Sequence, residues 1–195
     1  MKYIIMADGK GTRWNNYLGL PKHLIEINGE PIIARTVRLL QELTGPDRTI
    51  IITSHDIRYE FDGAVRYEPL NNKLEIDRFT EELIADDVCF LYGDTYYTEE
   101  SLRRIISQKT SDIVFFGNEK SIVAVKIADG RLFRQHMRRV KTLYLEGKID
   151  RCVGWQVYQS VSGQNLQEKP RLGRQFVILD NNTTDINTPE EYKGI

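Results

Sequence analysis

Cysteine is scarce in this chain: Cys89 and Cys152 are the only two in 195 residues, too few for a disulfide framework or a four-ligand structural zinc site. Cys89 sits inside the apolar run Val88-Cys89-Phe90-Leu91-Tyr92, where a thiol behaves as a small buried hydrophobe. Long hydrophobic runs are missing too. None exceeds five residues, whereas a membrane-spanning helix needs about 20. Asp8 and Lys10 interrupt the N-terminus before a secretory apolar region could form, so a cytoplasmic protein without membrane insertion is expected. There is no surplus of either charge: 27 Lys and Arg stand against 28 Asp and Glu. The basic excess of a dedicated nucleic-acid binder is absent. His23, His55 and His136 are scattered, with no metal-ligand spacing and no partnered nucleophile, and are expected to be structural or exposed.

The balanced total conceals an uneven distribution. From His55 to Leu102 there are thirteen acidic and four basic residues, and from Arg131 to Arg151 seven basic and two acidic. Solvated helix faces are the simplest reading, with attraction of a phosphorylated substrate to the basic segment as the second.

What is present is a regular alternation of strand and helix signals. Tyr3 to Ala7 is a short apolar run ending in a Gly-rich turn, the mark of a strand buried on both faces. A helix follows Asn28-Gly29, with Pro31 in its first turn and a stop at Gly45-Pro46. Thr49 to Thr53 is the next strand. Leu74, Ile76, Phe79, Leu83 and Ile84 fit one face of a helix. Val88 to Tyr92 is a central strand, and Thr98 caps a helix from Glu99 to Gln108.

Ile113–Phe116 and Ile122–Ile127 are strands joined by a turn at 118–120. Leu132, Phe133, Met137, Val140, Leu143 and Tyr144 make the basic segment an amphipathic helix. Phe176 to Leu179 is a late strand, and Thr188-Pro189-Glu190-Glu191 starts a last helix. With no repeat or low-complexity linker, residues 1–195 read as a single α/β domain: a three-layer, doubly wound, mainly parallel sheet.

Three motifs lie at ends of these elements. The first strand runs into Asp8-Gly9-Lys10-Gly11-Thr12-Arg13, where two glycines let the backbone approach an anion and Lys10 and Arg13 add positive charge. It is neither a dinucleotide fingerprint, since Trp14 takes the third glycine position, nor a P-loop. Asp94 ends a central strand, on the rim where open α/β sheets bind ligands. The third motif is Thr184-Asp185-Ile186-Asn187-Thr188-Pro189-Glu190-Glu191-Tyr192.

The stretches Met6-Ala7-Asp8-Gly9-Lys10-Gly11-Thr12-Arg13-Trp14 and Leu20-Pro21-Lys22-His23-Leu24, followed by Asn28-Gly29-Glu30-Pro31, resemble the N-terminal signature of nucleotidyltransferases that activate sugar 1-phosphates and phosphorylated alcohols. The resemblance extends to Leu91-Tyr92-Gly93-Asp94 and to the Asp185 segment. It implies a Rossmann-like nucleotidyltransferase (GT-A-like) fold and a nucleotide held by Ala7, Asp8, Gly9, Lys10, Gly11, Thr12, Arg13 and Lys22. It also implies Mg²⁺ on Asp94 and Asp185, with Asn187 as a further candidate, a carboxylate being preferred by a hard cation.

Arg13, Lys22 and Asp94 are the implied catalytic residues: Arg13 on the leaving pyrophosphate, Lys22 between the α-phosphate and the acceptor phosphate. The layout is similar to that of bacterial choline-phosphate cytidylyltransferases, which places Asn71 and Asn72 by the base and makes CTP the first expectation. The partners implied are an NTP and a small phosphorylated sugar or alcohol, the product serving surface polysaccharide or related biosynthesis. Asp8 stands where that family usually has Ala or Gly. It could accept hydrogen bonds from base amino groups, or it could mark a non-catalytic, nucleotide-binding homologue. A glycosyltransferase using a nucleotide-sugar donor is the other alternative, but its usual Asp-x-Asp motif is replaced here by Gly93-Asp94-Thr95.

Overall fold

The computed structural model describes residues 1–194. Its centre is a seven-stranded sheet whose innermost strands are the apolar runs of the sequence. Strand β1 (Lys2–Met6) leads through a hairpin, β2 (Glu26–Ile27) and β3 (Glu30–Pro31), into helix α1 (Ile32–Thr44). Then come β4 (Ile50–Thr53), β5 (Val65–Tyr67), β6 (Val88–Tyr92) and β7 (Thr95–Tyr96). Helix α2 (Glu99–Ser107), β8 (Ile113–Gly117), β9 (Ile122–Ile127), α3 (Gly130–Leu145) and α4 (Gly154–Val161) follow. The described chain closes with β10 (Phe176–Ile178), β11 (Thr184–Asp185) and α5 (Pro189–Lys193).

The sheet order is β10-β8-β9-β6-β1-β4-β5. β1 pairs in parallel with β4 and with β6, Ile5 lying opposite Ile52 and Leu91. Only β9 runs antiparallel to its neighbours, because a short hairpin turn joins it directly to β8. Alternation along β1 divides the core. Tyr3, Ile5 and Ala7 pack with Val37 and Leu40 of α1 and Leu102 and Ile105 of α2. Ile4 and Met6 face the other layer, with Phe133 and Val140 of α3 and Val157 of α4. Helices thus cover both faces, as a mainly parallel sheet requires.

Capping follows the sequence. Thr98 Oγ1 accepts from the Ser101 amide at 3.1 Å, and Thr188 with Glu191 forms a capping box at α5. Lys126, buried on β9, donates to the carbonyls of Ile105, Ile106 and Gln108 at 2.7–3.1 Å and so closes the C-terminus of α2.

One expected helix is absent. Leu74 to Ile84 folds as two 3-10 turns, Glu75–Phe79 and Glu81–Leu83, broken at Thr80. Asp77 Oδ2 there accepts from the amides of Lys73 and Leu74. The basic face of α3 settles on these turns: Lys141 Nζ lies 2.6 Å from Asp77 Oδ1, Arg138 donates to Glu81, and Arg134 reaches the Ile84 carbonyl. Part of the charge asymmetry therefore resolves into pairing between the basic and acidic segments, through Arg138 and Lys141 with Asp77 and Glu81.

Gly130, the first residue of α3, meets the backbone of Ala85 so closely that a Cβ would lie 2.5 Å from its carbonyl carbon. Gly130→Ala is expected to destabilise the fold by about 1–3 kcal/mol, the usual cost of overpacking. A urea unfolding midpoint indistinguishable from wild type would contradict this.

Candidate functional site

The motif residues gather at the carboxyl ends of β1 and β6. β1 ends at Met6, and the loop of residues 8–13 leaves the sheet there with Gly11 at φ 58°, in the left-handed region that glycine enters without strain. Among the described residues none accepts a hydrogen bond from the amides of residues 9–13. The amides are therefore available to an anion, while the Gly11 carbonyl accepts from the Trp14 and Asn15 amides and holds the turn. Trp14 is buried, its indole donating to the Leu20 carbonyl at 2.7 Å, and fastens the end of the loop.

Beyond the loop, six side chains form one hydrogen-bonded chain. Lys22, on a 3-10 turn after Pro21, donates to Asp94 Oδ2 and, at 3.0 Å, to Asn187 Oδ1. The same Asn187 oxygen accepts from Arg13 at 2.9 Å. Asn187 Nδ2 donates to Asp185 Oδ2, and Asp185 Oδ1 accepts from Ser121 Oγ at 2.9 Å. Lys22, Asp94 and Asn187 are all buried. The small sheet β7–β11 brings Asp185 opposite Thr95, and the Ile186 amide donates to the Asp94 carbonyl at 2.7 Å. Residues from four distant stretches of sequence, with the Gly-rich loop beside them, thus place two cations and two carboxylates in one hydrogen-bonded chain through Asn187.

Comparison with known proteins fits this arrangement. The profile of the MobA-like NTP transferase domain matches residues 3–152, more than half of the chain. The chain belongs to that family. It is accordingly an NTP transferase enzyme by kinship. A bifunctional protein GlmU from Ruegeria sp. (strain TM1040) is 32% identical over 130 residues, covering 60% of this chain and 28% of that protein. The matched region thus spans a little over a quarter of the relative's length.

Among solved structures, CTP:phosphocholine cytidylyltransferase from Streptococcus pneumoniae has TM-score 0.63 at 18% identity, covering 99% of this chain and 96% of the other. A putative glucose-1-phosphate thymidylyltransferase from Bacillus anthracis has TM-score 0.64 at 15% identity, covering 100% and 93%. At these identities the structures share the fold of the NTP transferase domain, and the expected Rossmann-like nucleotidyltransferase architecture is the one observed.

Within this NTP transferase domain, burial opposes the charge on Asp94, but the Lys22 ammonium and the nearby His23 and Arg78 outweigh it and hold the carboxyl below its usual range. His23 is pushed down to about 4, chiefly by burial; Lys22 and Arg78 add to the shift and Asp94 opposes it. Its Nδ1 lies 2.8 Å from the Tyr59 hydroxyl, so the expectation of a structural histidine suits it.

On the other side of the loop, Asp8 is fully engaged. Its Oδ1 accepts from the His55 amide at 3.1 Å, and its Oδ2 lies 2.9 Å from His55 Nδ1 and 2.7 Å from Asn72 Nδ2. Asn72 Nδ2 also donates to the Asp8 carbonyl at 2.6 Å. Asn71 is exposed and lines a separate cavity with Asp77, Glu81 and the α3 cations. Lys10 and Thr12 are exposed at the loop tip.

Sequence reasoning missed three residues of this domain's site. His55 holds Asp8, and Ser121 holds Asp185. Arg78 lies against the loop so closely that a Cβ on Gly9 would come 3.3 Å from its guanidinium carbon. For Arg78 a signal existed, an isolated cation between the apolar positions Ile76 and Phe79. His55 and Ser121 carried none.

Beside the chain of polar contacts opens a cavity of about 790 Å³, lined among others by Arg13, Ser121, Asp185 and Asn187. Glu119 and Ile178 also line a second cavity of about 770 Å³, which includes Trp155, Arg151 and Lys169.

Proposed function

We propose that this domain transfers a nucleotidyl group from an NTP, with CTP the first candidate, to the phosphate of a small phosphorylated sugar or alcohol. The observation that carries this reading is Lys22, a buried cation placed between the Asp94 carboxylate and the Asn187–Arg13 pair at the foot of the anion loop. An acceptor phosphate oxygen attacks the α-phosphorus, the bond from that phosphorus to the bridging oxygen breaks, and pyrophosphate leaves with the electron pair. The acceptor is already ionised at neutral pH, so the protein contributes positioning and charge neutralisation rather than a strong base. Amides of residues 9–12 hold the nucleotide phosphates, Arg13 faces the pyrophosphate, and Lys22 neutralises charge on the α-phosphate and the incoming phosphate. The cavity bordered by Arg13 and Asp185 and the one sharing Glu119 and Ile178 with it are the space proposed for the acceptor.

The donor set suits Mg²⁺. Asp94, Asp185 and Asn187 offer hard oxygen atoms within one hydrogen-bonded chain, and the Lys22 ammonium already rests on Asp94 as a stand-in for a cation. Among the described residues no group of three or more His, Cys, Asp or Glu side chains is placed to hold a metal ion by itself. Mg²⁺ characteristically takes one or two carboxylates and completes its shell with water and substrate phosphates. When bound, Mg²⁺ supplies Lewis-acid polarisation of the phosphoryl group.

His55 and Asn72 engage Asp8 and turn its carboxylate toward protein donors. The proposal places the reaction in the cytoplasm and takes residues 1–195 as one catalytic unit; separately, no helix of the described residues is long and apolar enough to cross a membrane.

The decisive test incubates the protein with each NTP, Mg²⁺ and a panel of phosphorylated sugars and alcohols, reading pyrophosphate. Release that needs one NTP, one acceptor class and Mg²⁺, and that stops with a chelator, is expected. NTP binding without release across the panel would instead assign a regulatory homologue. Consumption of a nucleotide sugar without pyrophosphate would assign a glycosyltransferase.

A further inference from the structure

We propose that Asp8 is a positioning residue that selects the base of the nucleotide, by fixing His55 and Asn72 so that both present hydrogen-bond acceptors to a base carrying an exocyclic amino group. The inference rests on the nucleotide-binding part of the reading above.

The location follows from the topology. Asp8, His55 and Asn72 stand just beyond the carboxyl ends of β1, β4 and β5, on one side of the anion loop. Lys22, Asp94, Asn187 and the large cavity stand on the other, toward β6, β8 and β10. A nucleotide with its phosphates on the loop must turn its α-phosphate toward Lys22, and the acceptor must arrive from the cavity beyond. Only the β4–β5 side is left for the nucleoside.

The polarity follows from hydrogen-bond chemistry. An ionised carboxylate only accepts. Asn72 faces two acceptors, the Asp8 carbonyl and the Asp8 carboxylate, so its NH₂ group must point at them and its oxygen must point away. Chemistry, rather than the look-alike shape of the amide, fixes that orientation. By the same argument Nδ1 of His55, 2.9 Å from Asp8 Oδ2, carries the proton, which leaves Nε2 of the neutral ring as an acceptor. The His55 ring is about half exposed and free to meet a ligand. Two acceptors, Asn72 Oδ1 and His55 Nε2, thus flank the nucleoside side of the loop. They match the amino group of cytosine or adenine and oppose the keto oxygen of uracil or hypoxanthine. A site built around such a bond rejects the analogue that cannot make it.

Asp8→Asn breaks the scheme at its root, because an amide both donates and accepts and no longer dictates either neighbour. Calorimetric titration in Mg²⁺ with the matched pairs CTP and UTP, and ATP and ITP, tests the inference. The wild-type chain should bind the amino-bearing member of the tighter-binding pair about tenfold or more better, the effect of one well-placed hydrogen bond. Asp8→Asn and His55→Ala should bring that ratio close to one, mainly by weakening the amino-bearing member. His55→Ala lies at an exposed site and keeps the test available should Asp8→Asn unfold.

Equal binding of both members by the wild-type chain, or an unchanged ratio in folded Asp8→Asn and in His55→Ala, overturns the proposal. Base-selective binding without pyrophosphate release in any mixture would sustain this inference while defeating the transfer reaction. Turnover with no base preference would do the reverse.

Discussion

Lys22→Ala is expected to lower turnover by a factor on the order of 10²–10³, the usual consequence of removing one donor aimed at developing phosphoryl or oxyanion charge. In the structure this ammonium touches both Asp94 and Asn187, and no other cation is so placed among the described residues of that chain; Arg13 reaches only the Asn187 end. The variant has a second effect that the motif alone does not suggest. Lys22 and Asp94 are each only 6% exposed, so deleting one leaves the other buried and unpaired, a loss of about 3–5 kcal/mol in comparable pairs. Single substitutions at either position therefore confound folding with catalysis.

The double variant Lys22→Met with Asp94→Leu separates them. Replacing a buried ion pair by apolar residues of similar volume is often neutral or stabilising, so thermal stability should recover while pyrophosphate release stays lost. Substantial turnover in either the single or the double variant would remove Lys22 from the mechanism.

The parts of this site visible in the sequence are those written in contiguous residues at element ends. Asp8 to Arg13 is legible because an apolar strand runs straight into glycines and cations. Asp94 is legible because it ends the central strand, and the last motif because Thr188, Pro189 and Glu191 spell a helix start. Partnerships across the fold were not legible. Asn187 meets Arg13 across 174 positions and Lys22 across 165, and His55 finds Asp8 across 47. Nothing local to any of these residues names its partner.

The fold shows the same division. The central strands, α1, α2 and α3 follow from apolar period and caps. β5 is three residues at a sheet edge, too short for a pattern. α4 begins at Gly154 after Val153, which offers no side-chain cap, so no start signal precedes it. The false helix at 74–84 had helical spacing, but Asp77 turns its carboxylate back onto the amides of Lys73 and Leu74 and tertiary packing against α3 completes two short turns instead. Periodicity reports which residues face the core, not which hydrogen bonds the backbone makes.

Acidification should destabilise the fold across the interval from about pH 6.5 to about pH 4 through His23. Burial is the main cause of its depressed value of about 4, with Lys22 and Arg78 adding to the shift and Asp94 opposing it. On unfolding, His23 regains an ordinary value near 6.5. In that window the unfolded chain binds a proton that the native chain refuses, so stability falls as pH falls. The difference of about 2.5 units corresponds to roughly 3 kcal/mol at the acid end, order-of-magnitude.

Asp94 acts lower on the scale: its depressed carboxyl contributes stability above the ordinary carboxylate range and loses it as pH drops through the folded value. His136, half-buried and also lowered by burial, adds a smaller slope of the same sign as His23. Urea unfolding at steps from pH 7 to pH 4.5 measures the sum, and His23→Phe isolates the main part. That variant forfeits the Tyr59 contact, so its absolute stability should be lower at pH 7. Its decline toward pH 5 should nevertheless be visibly shallower than wild type, and parallel curves for the two proteins would refute the assignment.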